Sequence, residues 1–318
     1  MKFESLSVKY LKCRDKDKGV ALITVMLILA LATILAVSMS SRQQLDIHRS
    51  ANVINFEQSY QYILGAEKWA EQFLKRDLSD NKTDSFNDDW ATVLPPLPIE
   101  GGSMSGQVED LQARFNINNL VQNGKVQKLY VDRFKQLLVN LELNEDLASV
   151  IVDWLDPNEQ VGFLGAEDNE YLNLSPAYRA SNQSMEDVSE LLLVKGMDIE
   201  SYEKLRPFVC VLKSETNINV NTATAEVLSS IVKDMSVEDA NELIKERNKD
   251  IFEKIEDFLQ HPLLKQKKIK NEGLSVSSNY FQLNSTAQIE RISVDYTSII
   301  HRQSDGSTSI IKRHRGVL

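Results

Sequence analysis

The sequence predicts an α+β chain: one long N-terminal helix packed on an antiparallel sheet, with a large all-α region inserted into that sheet. Three observations carry this reading. An uncharged apolar run at residues 20–39 continues without proline into an amphipathic stretch that reaches residue 78. Strand-like alternation occurs at two distant places, around residues 107–116 and across residues 275–314. Between them, residues 117–271 carry mainly helical periodicity, so the two strand regions must enclose the helices.

The first element is VALITVMLILALATILAVSM, residues 20–39. Twenty residues at 1.5 Å rise make a helix of about 30 Å, the thickness of a bilayer's hydrocarbon core. The preceding MKFESLSVKYLKCRDKDKG holds six Lys/Arg against three Asp/Glu, which keeps the N-terminus cytoplasmic while the remainder crosses. Three fates are open to such a segment: a plain uncleaved anchor, a secretory signal cut after the apolar core, or a cut before it. Ala36-Val37-Ser38 and Ser38-Met39-Ser40 fit a small-x-small site, but the core is too long for an ordinary secretory signal.

Lys18-Gly19 followed by VALITVMLILAL resembles the type III signal of type IV pilins and type II secretion pseudopilins. The resemblance implies cleavage between Gly19 and Val20 by a prepilin peptidase and N-methylation of Val20. A glycine suits a scissile strand entering a tight active site. The family usually carries Glu at the fifth mature residue, where this chain has Thr24. In the family that carboxylate neutralises the amine of the subunit above, because an uncompensated amine in hydrocarbon is costly. A subunit with nothing above it needs no such Glu. Thr24 therefore points, by resemblance, to the tip subunit and to the minor pseudopilin K family.

From Ser40 to Leu78 the only helix-weakening residue is Gly65, and apolar residues recur three and four apart, from Leu45 and Ile47 to Phe73 and Leu74. This stem, QLDIHRSANVINFEQSYQYILGAEKWA in part, is similar to the same family. Residues 79–106 read as a loop, and QVEDLQARFNIN as a strand with Val108, Leu111, Ala113 and Phe115 on one face. Strands are expected near 279–286, 289–301 and 307–313, the last two joined by Ser304-Asp305-Gly306, a hairpin signal. Among the inserted helices, Ser184, Ser236 and Thr222 are candidate N-caps, with Asp187 and Asp239 in capping-box spacing after the first two.

Composition narrows the function. The chain has 36 Lys/Arg against 46 Asp/Glu, and removal of the leader leaves 30 against 43, a net of −13. That balance disfavours nucleic acid, which demands clustered cations. Cys13 lies in the leader, so Cys210 remains alone and no internal disulfide can form in the processed chain. His48, His261, His301 and His314 occur singly, and there is no nucleophile elbow or phosphate loop, so an enzyme is not expected. One rival exists. NINVNTATAEVLSSI, residues 217–231, resembles the helix-hairpin-helix of competence-type DNA receptors, which are also membrane-anchored. Its hairpin segment, Lys233-Asp234-Met235-Ser236, lacks the glycines that bring backbone N–H groups to phosphate. In the K family, SELLLVKGM and INVNTA belong instead to two sterile-alpha-motif-like (SAM-like) helical units.

The candidate chemical site is the loop Asp153–Tyr171, with six carboxylates in the eighteen positions from Asp153 to Glu170. Such a group repels itself unless a cation or solvent screens it, and hard oxygen donors favour calcium. Counting from Asp156, Asn158, Gln160 and Glu167 fall at the third, fifth and twelfth places, an echo of an EF-hand with its glycine misplaced. The DW-D-P-N and GAED pieces resemble the K family's calcium-bearing loop. That resemblance implies Asp156, Asn158, Gln160, Glu167 and Asp168 as ligands of a structural calcium.

The order of leader, stem, acidic loop, SELLLVKGM and INVNTA resembles the minor pseudopilin K family along nearly the whole chain. It implies a pilin-like fold divided into a leader (1–19), a transmembrane half-helix (20–40), a stem (41–78), a sheet region (79–116 and 275–318) and two inserted SAM-like/helix-hairpin-helix-like units (117–213 and 214–274). The implied role is structural: a single-pass inner-membrane subunit with a periplasmic C-terminal region, at the tip of the type II secretion pseudopilus. Its implied partners are minor pseudopilins I and J, then H and the major pseudopilin, with no nucleic acid.

Overall fold

A computed structural model describes residues 16–265, 267 and 269–316. The basic leader up to residue 15, including Cys13, lies outside them. Helix α1 spans Lys16–Asp80. Among the described residues, those up to Gln58 form one unit and those from Ser59 onward form a second. In the first, Val20, Ile23, Leu27, Ile34 and Met39 are all exposed, as a membrane-facing helix requires.

In the second unit, α1 turns a narrow face inward. Ile63, Ala66, Ala70 and Leu74, spaced three and four apart, are buried. Ala66, Ala70 and Leu74 share a core with Trp90, Phe281, Leu283 and Ile300. Small residues at 66 and 70 let the helix approach the sheet closely, and the larger Trp69 stays partly exposed. Glu67 is buried on the same face, where it accepts from Ser298 Oγ (2.6 Å) and from Arg313 (2.7 and 2.8 Å).

The sheet has five antiparallel strands in the order β1 (Leu94–Ile99), β2 (Gly102–Asp110), β3 (Tyr280–Ile289), β4 (Ile292–Arg302) and β5 (Thr308–Arg315). Strands β2 and β3 pair although roughly 170 residues separate them, with Val108 opposite Leu283. The expected hairpin closes β4 onto β5, with Gly306 at φ +82°. Strand β1 corrects the loop expected at 79–106. LPPLPI forms an edge strand, where prolines need no ladder N–H on the open side, and its pairing breaks register between Leu94 and Leu97. The strand expected through Phe115 also ends early. After Asp110 the chain makes a 3₁₀ turn at Leu111–Ala113, so Phe115 joins the helical core and not the sheet.

The inserted region holds α2 (Lys128–Asn140), α3 (Leu147–Leu155), α4 (Asp168–Tyr171), α5 (Ile199–Leu205), α6 (Ala225–Ile231), α7 (Val237–Arg247) and α8 (Ile255–Leu259). They share one core that includes Phe115, Phe134, Leu138, Ile151, Tyr171, Leu228 and Phe258. VSELLL, Val188–Leu193, is a 3₁₀ segment and not an α-helix. Its cap is Asp187, in a box with Glu190, in place of the expected Ser184. Ser236 caps α7 and boxes with Asp239 as expected. Thr224 caps α6, because Thr222 gives its hydroxyl to Asp110 instead.

Candidate functional site

At the N-terminal end, Gly19 and Val20 lie within α1. A Cβ on Gly19 would meet nothing within 4 Å, so this fold does not itself demand glycine there. Thr24 Oγ1 donates to the Ala21 carbonyl at 2.9 Å, which satisfies the hydroxyl inside its own helix.

The acidic loop begins where α3 ends. Asp156 takes an extended conformation at the C-cap and accepts from the Asn158 backbone N–H (3.1 Å) and Nδ2 (2.7 Å). Asn158 Oδ1 accepts in turn from the Gln160 N–H at 2.8 Å. Asp153 reaches from the last turn of α3 to the Gly162 N–H at 2.9 Å. A Cβ on Gly165 would stand 1.8 Å from Asp153 Oδ2, so only glycine lets the loop close over that carboxylate. Beneath the loop Trp154, Tyr171 and Tyr178 pack ring on ring, at 5.1 and 5.4 Å.

Glu167 is the decisive residue of this loop. It is 2% exposed, and neither carboxylate oxygen has a hydrogen-bond partner among the described residues. Burial pushes its carboxyl up to about 7, helped by the charges of Asp153, Asp156, Asp168 and Glu159. Asp153 and Asp156 are likewise raised, burial being the largest cause. Of the five residues named from sequence, Asp156 and Glu167 are thus buried near each other's charge. Asn158 is engaged with Asp156 and Gln160, the Gln160 side chain is exposed, and Asp168 accepts from the Ala180 N–H and pairs with Arg179 at 3.3 Å. Asp153 is the addition. Its place three residues before Asp156, one turn back on α3, was the available signal.

A second polar centre escaped sequence reasoning. Asp77, Asp84 and Asp88 place ligand oxygens within 4.8 Å of one another, but a side chain already supplies the cation. Arg302, on β4 and fully buried, donates to the Leu74 carbonyl (3.0 Å), Asp77 (3.2 Å), both Asp84 oxygens (2.6 Å) and the Ser278 carbonyl (2.9 Å). Asp84 accepts from the Ser278 N–H, and Ser278 Oγ donates to Asp110 at 2.6 Å. Asp110 also accepts from Thr222 Oγ1 (2.5 Å) and Asn219 Nδ2 (3.0 Å). One hydrogen-bonded chain thereby ties α1 to the sheet and the sheet to the NVNT segment.

Asparagines make the other seams. Asn116 Oδ1 accepts from the Leu212 N–H, and its amide donates to the Ser214 carbonyl and Thr216 Oγ1. Asn118 bonds both backbone groups of Met185, Asn119 those of Thr216, and Asn221 those of Phe252. A buried side-chain amide imitates a peptide group and satisfies backbone where chains cross without a ladder. The NINVNT segment is therefore spent on internal seams, and Asp234 in the would-be phosphate hairpin turns left-handed (φ +59°) with its carbonyl held by Lys267. Cys210 is buried, and burial pushes its thiol up to about 12.

Residues 113–214 and 218–277 match two models described as type II secretion system (T2SS), protein K. A type II secretion system protein K from Pseudomonas aeruginosa is 36% identical over 315 residues, covering 95% of this chain and 94% of that protein. The chain belongs to the type II secretion system protein K family. A further protein K, from Klebsiella pneumoniae, is 33% identical over 265 residues, 79% of this chain and 81% of its own length. The crystal structure of the GspK-GspI-GspJ complex from enterotoxigenic Escherichia coli superposes with a TM-score of 0.76 at 30% identity, covering 85% of this chain and 100% of that one. As a protein K, the chain is a minor pseudopilin of type II secretion with a pilin-like helix and sheet, and the DNA-receptor alternative is not favoured.

Proposed function

We propose that this minor pseudopilin is the tip subunit of the pseudopilus, and that it starts or caps the filament which exports folded proteins. The observation that carries the reading is Thr24: its side chain is a hydroxyl bonded within its own helix, and it offers no carboxylate to a subunit above. The bulk of the inserted helices, which would obstruct a subunit stacked over them, supports the same position. Its partners are then minor pseudopilins I and J, followed by H and the major pseudopilin. The E. coli relative solved with GspI and GspJ supports the first two. The role is structural and needs no catalytic residue.

The processed chain starts at Val20, with a methylated amine, after prepilin peptidase cleaves behind Gly19. It crosses the inner membrane once, N-terminus cytoplasmic and the remainder periplasmic. Mass spectrometry of the mature N-terminus tests this: a chain starting at methylated Val20 is expected, and one starting at Met1 or Ser41 refutes it.

Calcium belongs to the same proposal. Glu167, buried with both oxygens unpartnered, fits a cation-binding role, and the charges of Asp153 and Asp156 lie near enough to raise its carboxyl. The proposed ligands are Asp156, Asn158, Gln160, Glu167 and Asp168, with Asp153 as a neighbouring carboxylate. A bound calcium would supply the charge that these carboxylates lack and fix the loop against the Trp154 and Tyr171 rings.

A further inference from the structure

Phe163 is 89% exposed, more than any other large hydrophobic among the described residues, and Val161 and Leu164 beside it are 54% and 51% exposed. Their presentation is built. The Gly165 N–H donates to the Gly162 carbonyl at 3.0 Å and closes a tight turn over Phe163 and Leu164. Asp153, buried at the base, holds the Gly162 N–H. Leu164 adopts φ +63°, a left-handed conformation that a leucine takes only at a cost of order 1 kcal/mol or more. Folding gains nothing from an aromatic ring in water, so the strained turn displays a ring that the interior does not use.

The surroundings specify what would receive it. No Lys or Arg occurs between Lys135 and Arg179. Arg179 and Lys195 are the basic residues that meet the loop region, and they pair with Asp168 and Glu170. Glu159, exposed beside the turn, has no basic partner among the described residues, and neither do the buried Asp153, Asp156 and Glu167 behind it. An anionic lipid surface is repelled by such a base, and a purely apolar pocket would leave the exposed Glu159 unsolvated.

We propose that the Val161–Leu164 turn is a docking knob for a protein partner whose surface offers an apolar socket rimmed by Lys or Arg. A preorganised aromatic ring loses little entropy on burial, which is the character of an interface hot spot. The proposal stands on the turn and its charge, and holds whether or not the loop binds calcium.

The test places p-benzoylphenylalanine at position 163 of the full-length chain in secreting cells and irradiates them. The expected product is one protein adduct whose attached peptide is rich in Lys or Arg. Phe163→Ser is expected to lower export by about thirtyfold, the ratio of a truncated hot spot, with the melting temperature of the purified chain unchanged. Phe163→Leu should restore most of that export, and Glu159→Lys should weaken the adduct. A lipid adduct, no adduct, normal export by Phe163→Ser, or a melting temperature lowered by that variant would each overturn the proposal.

Discussion

Replacing Arg302 by Met keeps the length and apolar stem of the side chain and removes its charge. The guanidinium lies between the α1 carbonyl of Leu74, two buried carboxylates and the Ser278 carbonyl, over the Phe281 ring at 4.8 Å. Its loss leaves Asp77 and Asp84 uncompensated, and breaking a buried pair from one side costs about 3–5 kcal/mol. For a unit of this size that lowers the melting temperature by about 10 °C. The effect depends on pH with a definite sign. Asp77 is already pushed up to about 7, by burial first and then by Asp88 and Asp84. A carboxyl raised above its ordinary value gives stability that is complete at low pH and lost as pH rises through about 7. Without Arg302 that loss is larger, so the deficit of Arg302→Met should be greater at pH 8 than at pH 5. Adding Asp84→Asn should recover part of it. Calorimetry of the full-length chain in detergent at the two pH values is the assay. A melting temperature within about 2 °C of the parent, or a deficit equal at both pH values, would refute the argument.

Three further outcomes are expected. In chelator, the raised carboxyl of Glu167 makes the chain less stable as pH rises from about 5 to 8; calcium should flatten that dependence, and Asp156→Ala should abolish the response in thermal melts. Asn116→Ala should cost about 3 kcal/mol in urea unfolding, because the buried Leu212 N–H loses its acceptor and the seam between residues 116 and 216 opens. Salt-sensitive duplex binding should be absent in gel shifts of the purified chain, since the NVNT asparagines are already bonded internally.

Features with a local cause were legible in sequence. The length of α1 followed from uninterrupted periodicity, the β4–β5 hairpin from Asp305-Gly306, and the cap of α7 from Ser236 and Asp239. Strand β1 was hidden because Pro95, Pro96 and Pro98 argue against a strand, and only its place at the sheet's edge makes them tolerable. Phe115 left the expected strand because a 3₁₀ turn after Asp110 redirects the chain toward the helical core. The Arg302 centre had no local signature at all. Its members come from residues 74, 77, 84, 278 and 302, and a lone Arg at the end of SIIHR gives no hint of carboxylates more than two hundred residues earlier. The acidic loop was visible as composition. What composition could not say is which carboxylates turn inward, and the answer, Asp153, Asp156 and Glu167, depends on how α3 and α4 pack.

The tip position is the central claim, and gold labelling of the inserted helical region in assembled pseudopili tests it most directly. Label at one end of each filament is the expected image. Label spaced along the filament length would contradict the account, because this subunit would then be carrying others above it.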